Sequence, residues 1–210
     1  MKYKFFLYFC FPLNEPILKQ RRADMIRIPQ AEGIDRMLEQ LHLLEGAEYA
    51  RHVERIARRA EFHLLEGEAN IFVAGGEGDD DFTNQLNAAR KAVALGYKVF
   101  ILPNPKGIRT PDFIFERKGT YRIYDLKTIS GKASVDNRLK ESVGQTNRVI
   151  LNMTTDYKAG KLARSIMRYF ERYSDGIEVV VFRGNKKISI TRQTVADKNF
   201  VVTFSKKYYK

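Results

Sequence analysis

The sequence predicts an α/β fold in which a mixed sheet is flanked by helices, with a helical segment ahead of it. From residue 82 onward, apolar residues at three- and four-residue steps alternate with short apolar runs of strand length. The chain has 210 residues, of which 44% are hydrophobic, so one domain with an appendage can bury a substantial core.

The N-terminal stretch, residues 1–24, differs in composition from the rest of the chain. Its apolar run from Phe5 to Leu13 is flanked by Lys and Arg, and it is too short to span a bilayer, which takes about 20 apolar residues. No small-residue cleavage site follows it, which disfavours a secretory signal peptide. We therefore expect either a non-native start upstream of Met25 or an N-terminal arm that packs on the body, with no membrane segment.

Residues 25–66 are predicted to be a helical segment. Between Ile34 and Leu65, apolar residues recur at helical spacing and form one stripe, which Gly46 weakens or divides. The stripe is expected to pack on the rest of the chain or on a second copy, so a homodimer is one interpretation. An RNA-binding basic helix is another, because several Arg residues decorate the other faces.

Residues 67–210 are predicted to form the main domain. Each element is read from the period of its apolar residues and from the Gly, Pro and Asn residues that end it. The predicted elements are a strand at 71–73, a helix at 82–95, strands at 97–102, 112–117 and 120–128, a helix from 134, a strand at 149–153, a helix at 158–173, strands at 177–182 and 187–191, and a last strand at 200–204.

The charge balance favours a polyanionic partner. The net charge is +12 and the isoelectric point is near 9.7, and the basic residues are not confined to one tail, which favours nucleic acid over a merely solubilising surface. The single cysteine, Cys10, excludes a disulfide framework and a Cys-based zinc cluster. The glycine-rich run at 75–78 lacks the Lys-Ser/Thr of a P-loop, so no nucleotide site is predicted there.

Two aspartates and a lysine bracket the hairpin predicted at 112–128. Asp112 opens its first strand, Asp125 and Lys127 lie near the end of its second, and Lys118-Gly119 provides the turn. Asp-x-Lys and Pro-Asp each occur by chance in many proteins, but the hairpin would bring the two carboxylates together. Carboxylates with water and phosphate oxygens are the ligands of Mg²⁺, the expected metal, with Mn²⁺ and Zn²⁺ as alternatives.

The two residues that follow Asp125 fit the same metal-site chemistry. Lys127, two residues after Asp125, projects to the same side of the strand and can position or deprotonate a metal-bound water. The side chain of Leu126 points the other way, into the core, whereas its carbonyl oxygen is a candidate metal ligand.

These residues resemble a known signature. Pro111-Asp112, followed by Asp125-Leu126-Lys127, is similar to the PD-(D/E)xK nuclease motif, and the element order over residues 82–155 resembles its restriction-endonuclease-like core. The course from Gly96-Tyr97 to Thr128 resembles the C-terminal tRNA-nuclease toxin domains of contact-dependent growth inhibition systems (CdiA type). The resemblance implies a metal-dependent endonuclease that acts on RNA, tRNA in particular, in the cytoplasm of a cell that receives it. It also implies an acidic immunity protein as partner.

One departure from that pattern concerns the metal site. The family carries a glutamate on the first core helix, and here its place falls on or near Gln85, whose amide oxygen can coordinate a cation but adds no charge. Asp80 and Asp81 could take over from the start of the helix, with Glu77 and Glu68 as more distant candidates. If none does, the chain is a catalytically degenerate module that binds nucleic acid without cutting it.

The resemblance also implies contacts to the substrate. Gln145, predicted on the second helix, would contact a phosphate or a water at the active site, although most residues of such a polar stripe are simply solvated. Lys132, Arg138 and Arg148 would contact backbone phosphates, which adds affinity without sequence choice. A structural or interaction protein, with incidental positive charge, is the third interpretation of the whole chain.

Overall fold

The computed structural model describes residues 25–27, 61–74, 81–102, 110–131 and 134–210. Within these residues nine strands form one mixed sheet, and their order across the sheet is their order in the sequence. The strands are β1 Met25–Arg27, β2 Glu61–Leu64, β3 Ile71–Val73, β4 Lys98–Ile101, β5 Phe113–Arg117, β6 Thr120–Ile129, β7 Arg148–Met153, β8 Glu178–Arg183 and β9 Lys186–Thr191. The helices are α1 Phe82–Ala94, α2 Val135–Glu141, α3 Ala159–Arg172, α4 Arg192–Val195 and α5 Phe200–Tyr209.

The sheet combines antiparallel hairpins with parallel crossovers. The pairs β3–β4, β6–β7 and β7–β8 are parallel, and the remaining neighbours are antiparallel. The tight turn between β5 and β6 consists of Lys118 and Gly119, whose φ angles of 53° and 74° are those of the turn that two-residue hairpins prefer. The predicted hairpin is therefore confirmed.

Each face of the sheet is covered by helices over its own apolar layer. The alanines at 88, 89 and 92 bring α1 close to β4, β5 and β6, where it packs on Val99, Phe113 and Leu126. On the opposite face, α2, α3 and α5 cover β6 to β9 around Leu139, Ile166, Val179 and Val181. Burial of these side chains is the main stabilising contribution, about 1.5–3 kcal/mol for each large one.

Most elements of the main domain lie where the sequence predicts them. The first helix ends before Gly96, whose φ of +83° suits glycine, and the strands at 71–73 and 97–102 are confirmed as β3 and β4. The later predicted elements, from the hairpin to the strand at 187–191, correspond to β5, β6, α2, β7, α3, β8 and β9.

The predicted last strand at 200–204 is wrong, because Phe200–Tyr209 is the helix α5. Phe200, Phe204 and Tyr208 are all buried, and their four-residue spacing places them on one helix face, against α3. The run Val201-Val202-Thr203 favours a strand locally, but packing of this face outweighs a preference that context readily overrides.

The helix predicted between Ile34 and Leu65 extends too far along the chain. Residues 61–64 are the strand β2, which pairs with β1 on one side and with β3 on the other. The prediction of helix up to Leu65 is thus wrong for these residues, and β1 is likewise a strand within the segment 25–66. Residues 1–24 and 28–60 lie outside the described residues, so the N-terminal arm and the rest of the helix stay predictions, as does the domain division.

In the part of the chain that the structure describes, no helix is both long enough and apolar enough to cross a membrane.

Candidate active site

The strand β6 loses one of its two neighbours halfway along its length. Its pairing with β5 ends at Phe113 opposite Tyr124, and its pairing with β7 runs from Asp125 to Ile129. On the β5 side, residues 125–129 therefore face no other strand among the described residues. Asp112 and Asp125 lie where the two strands part, so both carboxyl groups are placed at this open edge.

Both carboxylate oxygens of Asp112 accept hydrogen bonds at the open edge. Its Oδ2 accepts the backbone N–H of Leu126 at 2.6 Å, and its Oδ1 accepts an N–H of the Gln85 amide at 3.1 Å. Burial raises the pKa of Asp112, while the Leu126 hydrogen bond and the charge of Lys127 oppose that shift. The half-buried carboxyl group is thus held by two neutral donors, one from β6 and one from α1.

Asp125 is almost completely enclosed, with 1% of its surface exposed. The Nζ of Lys127 lies 3.0 Å from its Oδ1 and 2.8 Å from its Oδ2. Only the first contact has hydrogen-bond geometry, so Oδ2 is a buried oxygen without a hydrogen-bond partner. Burial and, next, the neighbouring Asp112 raise the pKa of Asp125 to about 8, against the opposing charge of Lys127.

The side chains on β6 point as the alternation of a strand requires. Lys127 lies beside Asp125, and Leu126 is buried under α1, so both predicted orientations are confirmed. The N–H of Leu126 points to the open edge. Because the N–H and C=O of one residue in an extended strand face the same side, its carbonyl faces that edge as well.

No third carboxylate joins this pair among the described residues, where no group of three or more His, Cys, Asp or Glu is found. Gln85 contacts Asp112 from α1, and its role in place of the expected glutamate stays a prediction. Asp81 is exposed and accepts a hydrogen bond from Asn84, and Glu68 forms an ion pair with Arg90 at 2.7 Å. Glu77 and Asp80 lie outside the described residues.

Gln145 does not lie on a helix, which corrects the prediction. The helix α2 ends at Glu141, and Gly144 then adopts a φ of +82° in the turn that leads to β7. The Gln145 amide donates to the carbonyl oxygen of Glu141 at 2.8 Å. The side chain thus satisfies a carbonyl group that the end of a helix leaves unpaired, and its contact with a substrate stays a prediction.

The three predicted phosphate contacts have different surroundings. Arg138 is exposed on α2 and pairs with Glu141 at 2.9 Å. Arg148 is mostly buried beside Glu178, at 3.8 Å, on the sheet face that α1 covers, whereas Asp125 points to the other face. The structure therefore does not bring Arg148 to the two aspartates, and Lys132 lies outside the described residues.

A polar contact beside the site was not predicted. Lys91 of α1 donates to Asn152 of β7 at 2.6 Å, and Asn152 in turn donates to Asn87 at 3.1 Å. A signal existed in the sequence, because Asn152 is a polar residue inside the apolar run of a buried strand. Its partners could not be identified from local spacing, because Lys91 and Asn152 are 61 residues apart in the chain.

Both aspartates and Lys127 fall within a range of the chain that matches a known family. Residues 109–188 match the family model of the contact-dependent growth inhibition CdiA C-terminal domain. The predicted resemblance to CdiA-type toxin domains is thereby confirmed over this range, which is less than half of the chain. No curated protein and no solved structure matches the chain.

The CdiA-like range contains the hairpin, both aspartates and Lys127 but not all of the site. Gln85 and Lys91 lie on α1, ahead of the matched residues, and yet contact Asp112 and Asn152 inside them. The elements that complete the site therefore extend beyond the range that the family model covers.

Proposed function

We propose that this chain is a divalent-metal-dependent endonuclease of the PD-(D/E)xK type with a restriction-endonuclease-like core. The observation that carries the proposal is the meeting of Asp112 and Asp125 at the open edge of β6, with the ammonium of Lys127 on Asp125. The match of residues 109–188 to a CdiA C-terminal domain supports it, because the range contains all three side chains.

The residues present fit a hard divalent cation. Oδ2 of Asp125 is a buried oxygen without a hydrogen-bond partner, and the carboxylate of Asp112 lies beside it. The Leu126 carbonyl and the Gln85 amide oxygen would complete an all-oxygen donor set that suits Mg²⁺ or Mn²⁺, with Zn²⁺ as a further candidate. A bound cation would supply Lewis acidity and lower the pKa of a bound water.

The protein's own side chains have separate roles in binding and positioning. The two carboxylates would hold the cation at the open edge, and the hydrogen bond from Leu126 keeps Asp112 in place. Lys127 holds the attacking water near the phosphate, and its positive charge stabilises the charge that accumulates there as the phosphodiester bond breaks. The enclosed setting strengthens that interaction by excluding bulk water.

We propose RNA as the substrate, and tRNA in particular, because the resemblance is to tRNA-nuclease toxin domains. The net charge of +12 supports a nucleic-acid target of either kind. By the same resemblance, the chain would be delivered from another cell, act in the cytoplasm and be neutralised by an acidic immunity protein that covers its basic surface.

Cleavage of labelled tRNA and of duplex DNA, with Mg²⁺ and with EDTA, tests this function. We expect metal-dependent cutting of tRNA that falls by about 10²-fold or more in Lys127→Ala, the scale of a positioned catalytic group. Lys98→Ala is the matched control, since Lys98 is an exposed lysine on the distant end of β4. Unchanged cleavage by Lys127→Ala would contradict the proposed mechanism.

The alternative, a degenerate module that binds nucleic acid without cutting it, is motivated by Gln85 in the place of an acid. Calorimetric titration with Mn²⁺ separates the two functions. Failure to bind metal, together with salt-sensitive RNA binding, would favour the alternative.

A further inference from the structure

A buried asparagine holds a lysine of α1, the helix that also carries Gln85. Asn152 has 0% of its surface exposed, and its side chain is fully engaged between two residues of α1. Its Oδ1 accepts from the Nζ of Lys91 at 2.6 Å, and its Nδ2 donates to the Oδ1 of Asn87 at 3.1 Å. The position of the ammonium group is therefore set by the core of the protein rather than by solvent.

Within the described ranges, Lys91 has no acidic partner. Among the described residues, no acidic side chain forms an ion pair with Lys91. Its side chain is half-buried between helix and sheet, and that burial lowers the pKa of Lys91. Holding a cation in such a place without an anion costs free energy, and an anionic ligand offsets that cost.

A second donor lies next to Asn152. Thr128 is the direct strand partner of Asn152, and both alternate with Leu126 and Ile150, which pack under α1. The two side chains therefore share the α1 face of the sheet. The Oγ1 of Thr128 is buried and has no hydrogen-bond partner among the described residues. A hydroxyl group in that state needs a partner from outside the described residues, such as an ordered water or a bound ligand.

One of the two donors, Thr128, lies on the same segment of β6 as Asp125. Thr128 is three residues after Asp125, which is about 10 Å along a strand. Residues 125–129 form the open edge of β6, so a chain lying along that edge can reach both faces of the strand. The first contact of α1 at this edge, Gln85 to Asp112, comes from the same helix as Lys91.

We propose that Lys91, positioned by Asn152, and the hydroxyl of Thr128 bind a backbone phosphate of the substrate next to the bond that is cut. An ammonium group with N–H donors to spare and a hydroxyl donor match the several acceptor oxygens of a phosphodiester, and neither reads a base. The identity of the ligand rests on the proposed nuclease function, whereas the anion site itself does not.

Oligonucleotide binding as a function of salt concentration tests the site, in a Lys127→Ala background so that the substrate stays intact. Loss of one phosphate contact should reduce the slope of log affinity against log salt by about 0.7–0.9. We expect this change, with about tenfold weaker binding, in Lys91→Met but not in Lys91→Arg. Lys98→Met removes an equal charge from an exposed strand position and should leave the slope within error.

Thr128→Val is a second variant that is expected to fold normally. It keeps the shape of the side chain and removes a hydroxyl group that has no hydrogen-bond partner in the part of the chain that the structure describes. It should weaken binding several-fold with an unchanged unfolding temperature. If both Lys91→Met and Thr128→Val bind the oligonucleotide as tightly as the parent, with the same salt slope, the proposal is wrong.

Titration with inorganic phosphate, followed through the side-chain ¹⁵N signals of lysine, separates this proposal from the nuclease function. A shift of the Lys91 signal that Thr128→Val weakens, in a protein that cuts no nucleic acid, would retain the anion site and overturn the proposed function. Metal-dependent cutting without that shift, and with the salt slope of Lys91→Met unchanged, would overturn the anion site alone.

Discussion

The carboxylate of Asp112 accepts the backbone N–H of Leu126 at 2.6 Å, which ties the start of β5 to the part of β6 that carries Asp125. Past Tyr124, β6 has no strand neighbour on this side in the described residues, so Asp112 takes the place of a strand for this one N–H group. The same side chain thus serves the fold and the proposed metal site, and substitutions can separate the two roles.

Asp112→Ala should be less stable than Asp112→Asn. Alanine leaves the Leu126 N–H and the Gln85 amide without their acceptor, at a cost of about 1–3 kcal/mol, whereas asparagine keeps an oxygen there. Urea unfolding measures the difference. Both variants should lose Mn²⁺ binding in calorimetry, and parental Mn²⁺ affinity in Asp112→Asn would remove Asp112 from the metal site.

The metal-free protein should lose stability as the pH rises from about 4 to about 8. The pKa of Asp125 is raised from 3.8 to about 8 by burial, so the folded state retains a proton that the unfolded chain releases. The contribution of this group is complete below the unfolded pKa and is lost as the pH rises through the folded one, on the order of a few kcal/mol in all. Urea unfolding across that range measures it.

Asp125→Asn should flatten this pH dependence, since an amide does not titrate. Asp136→Asn provides a contrast, because the hydrogen bonds from Arg168 lower the pKa of that carboxyl. Its contribution is present above the unfolded pKa and is lost as the pH falls. A stability profile in which Asp125→Asn and the parent run parallel from about pH 4 to about pH 8 would contradict the expectation.

Gln85→Glu should tighten metal binding. A third carboxylate next to Asp112 adds negative charge to the donor set, and it also replaces the amide that now donates to Asp112. We expect at least tenfold higher Mn²⁺ affinity and, without metal, a loss of about 1–3 kcal/mol at neutral pH from unpaired like charges. Calorimetry and urea unfolding measure the two effects.

Gln145→Glu adds the same charge in a turn, where the Gln145 amide donates to the carbonyl oxygen of Glu141, and it should leave Mn²⁺ affinity unchanged. An equal gain in both variants would mean that the effect is one of net charge. If Gln85→Glu gains nothing, Gln85 lies outside the coordination sphere.

Phe204→Ala should destabilise the protein strongly. Phe204 is 2% exposed in α5, against α3, and truncating such a side chain costs about 3–5 kcal/mol. Val202 lies on the same helix but is 57% exposed, so Val202→Ala should cost less than about 0.5 kcal/mol. Similar small losses in both would show that residues 200–209 do not pack as a helix against α3.

The sequence by itself determined the elements of the main domain whose apolar residues follow a clear local period. The helix α1, the hairpin of β5 and β6, and the placement of Asp125 and Lys127 on one side of a strand follow from spacings of two, three and four residues. The meeting of Asp112 with Asp125 also followed, because a two-residue turn sets the register of a hairpin.

Only the tertiary structure decided what lies between distant elements. It placed β2 where helix was predicted, made α5 a helix through its packing on α3, and left Gln145 in a turn. It also showed that β6 loses its neighbour at Asp125 and that Lys91 is held by Asn152. Strand pairing and burial of polar groups depend on residues far apart in the chain, and local spacing carries no information about them.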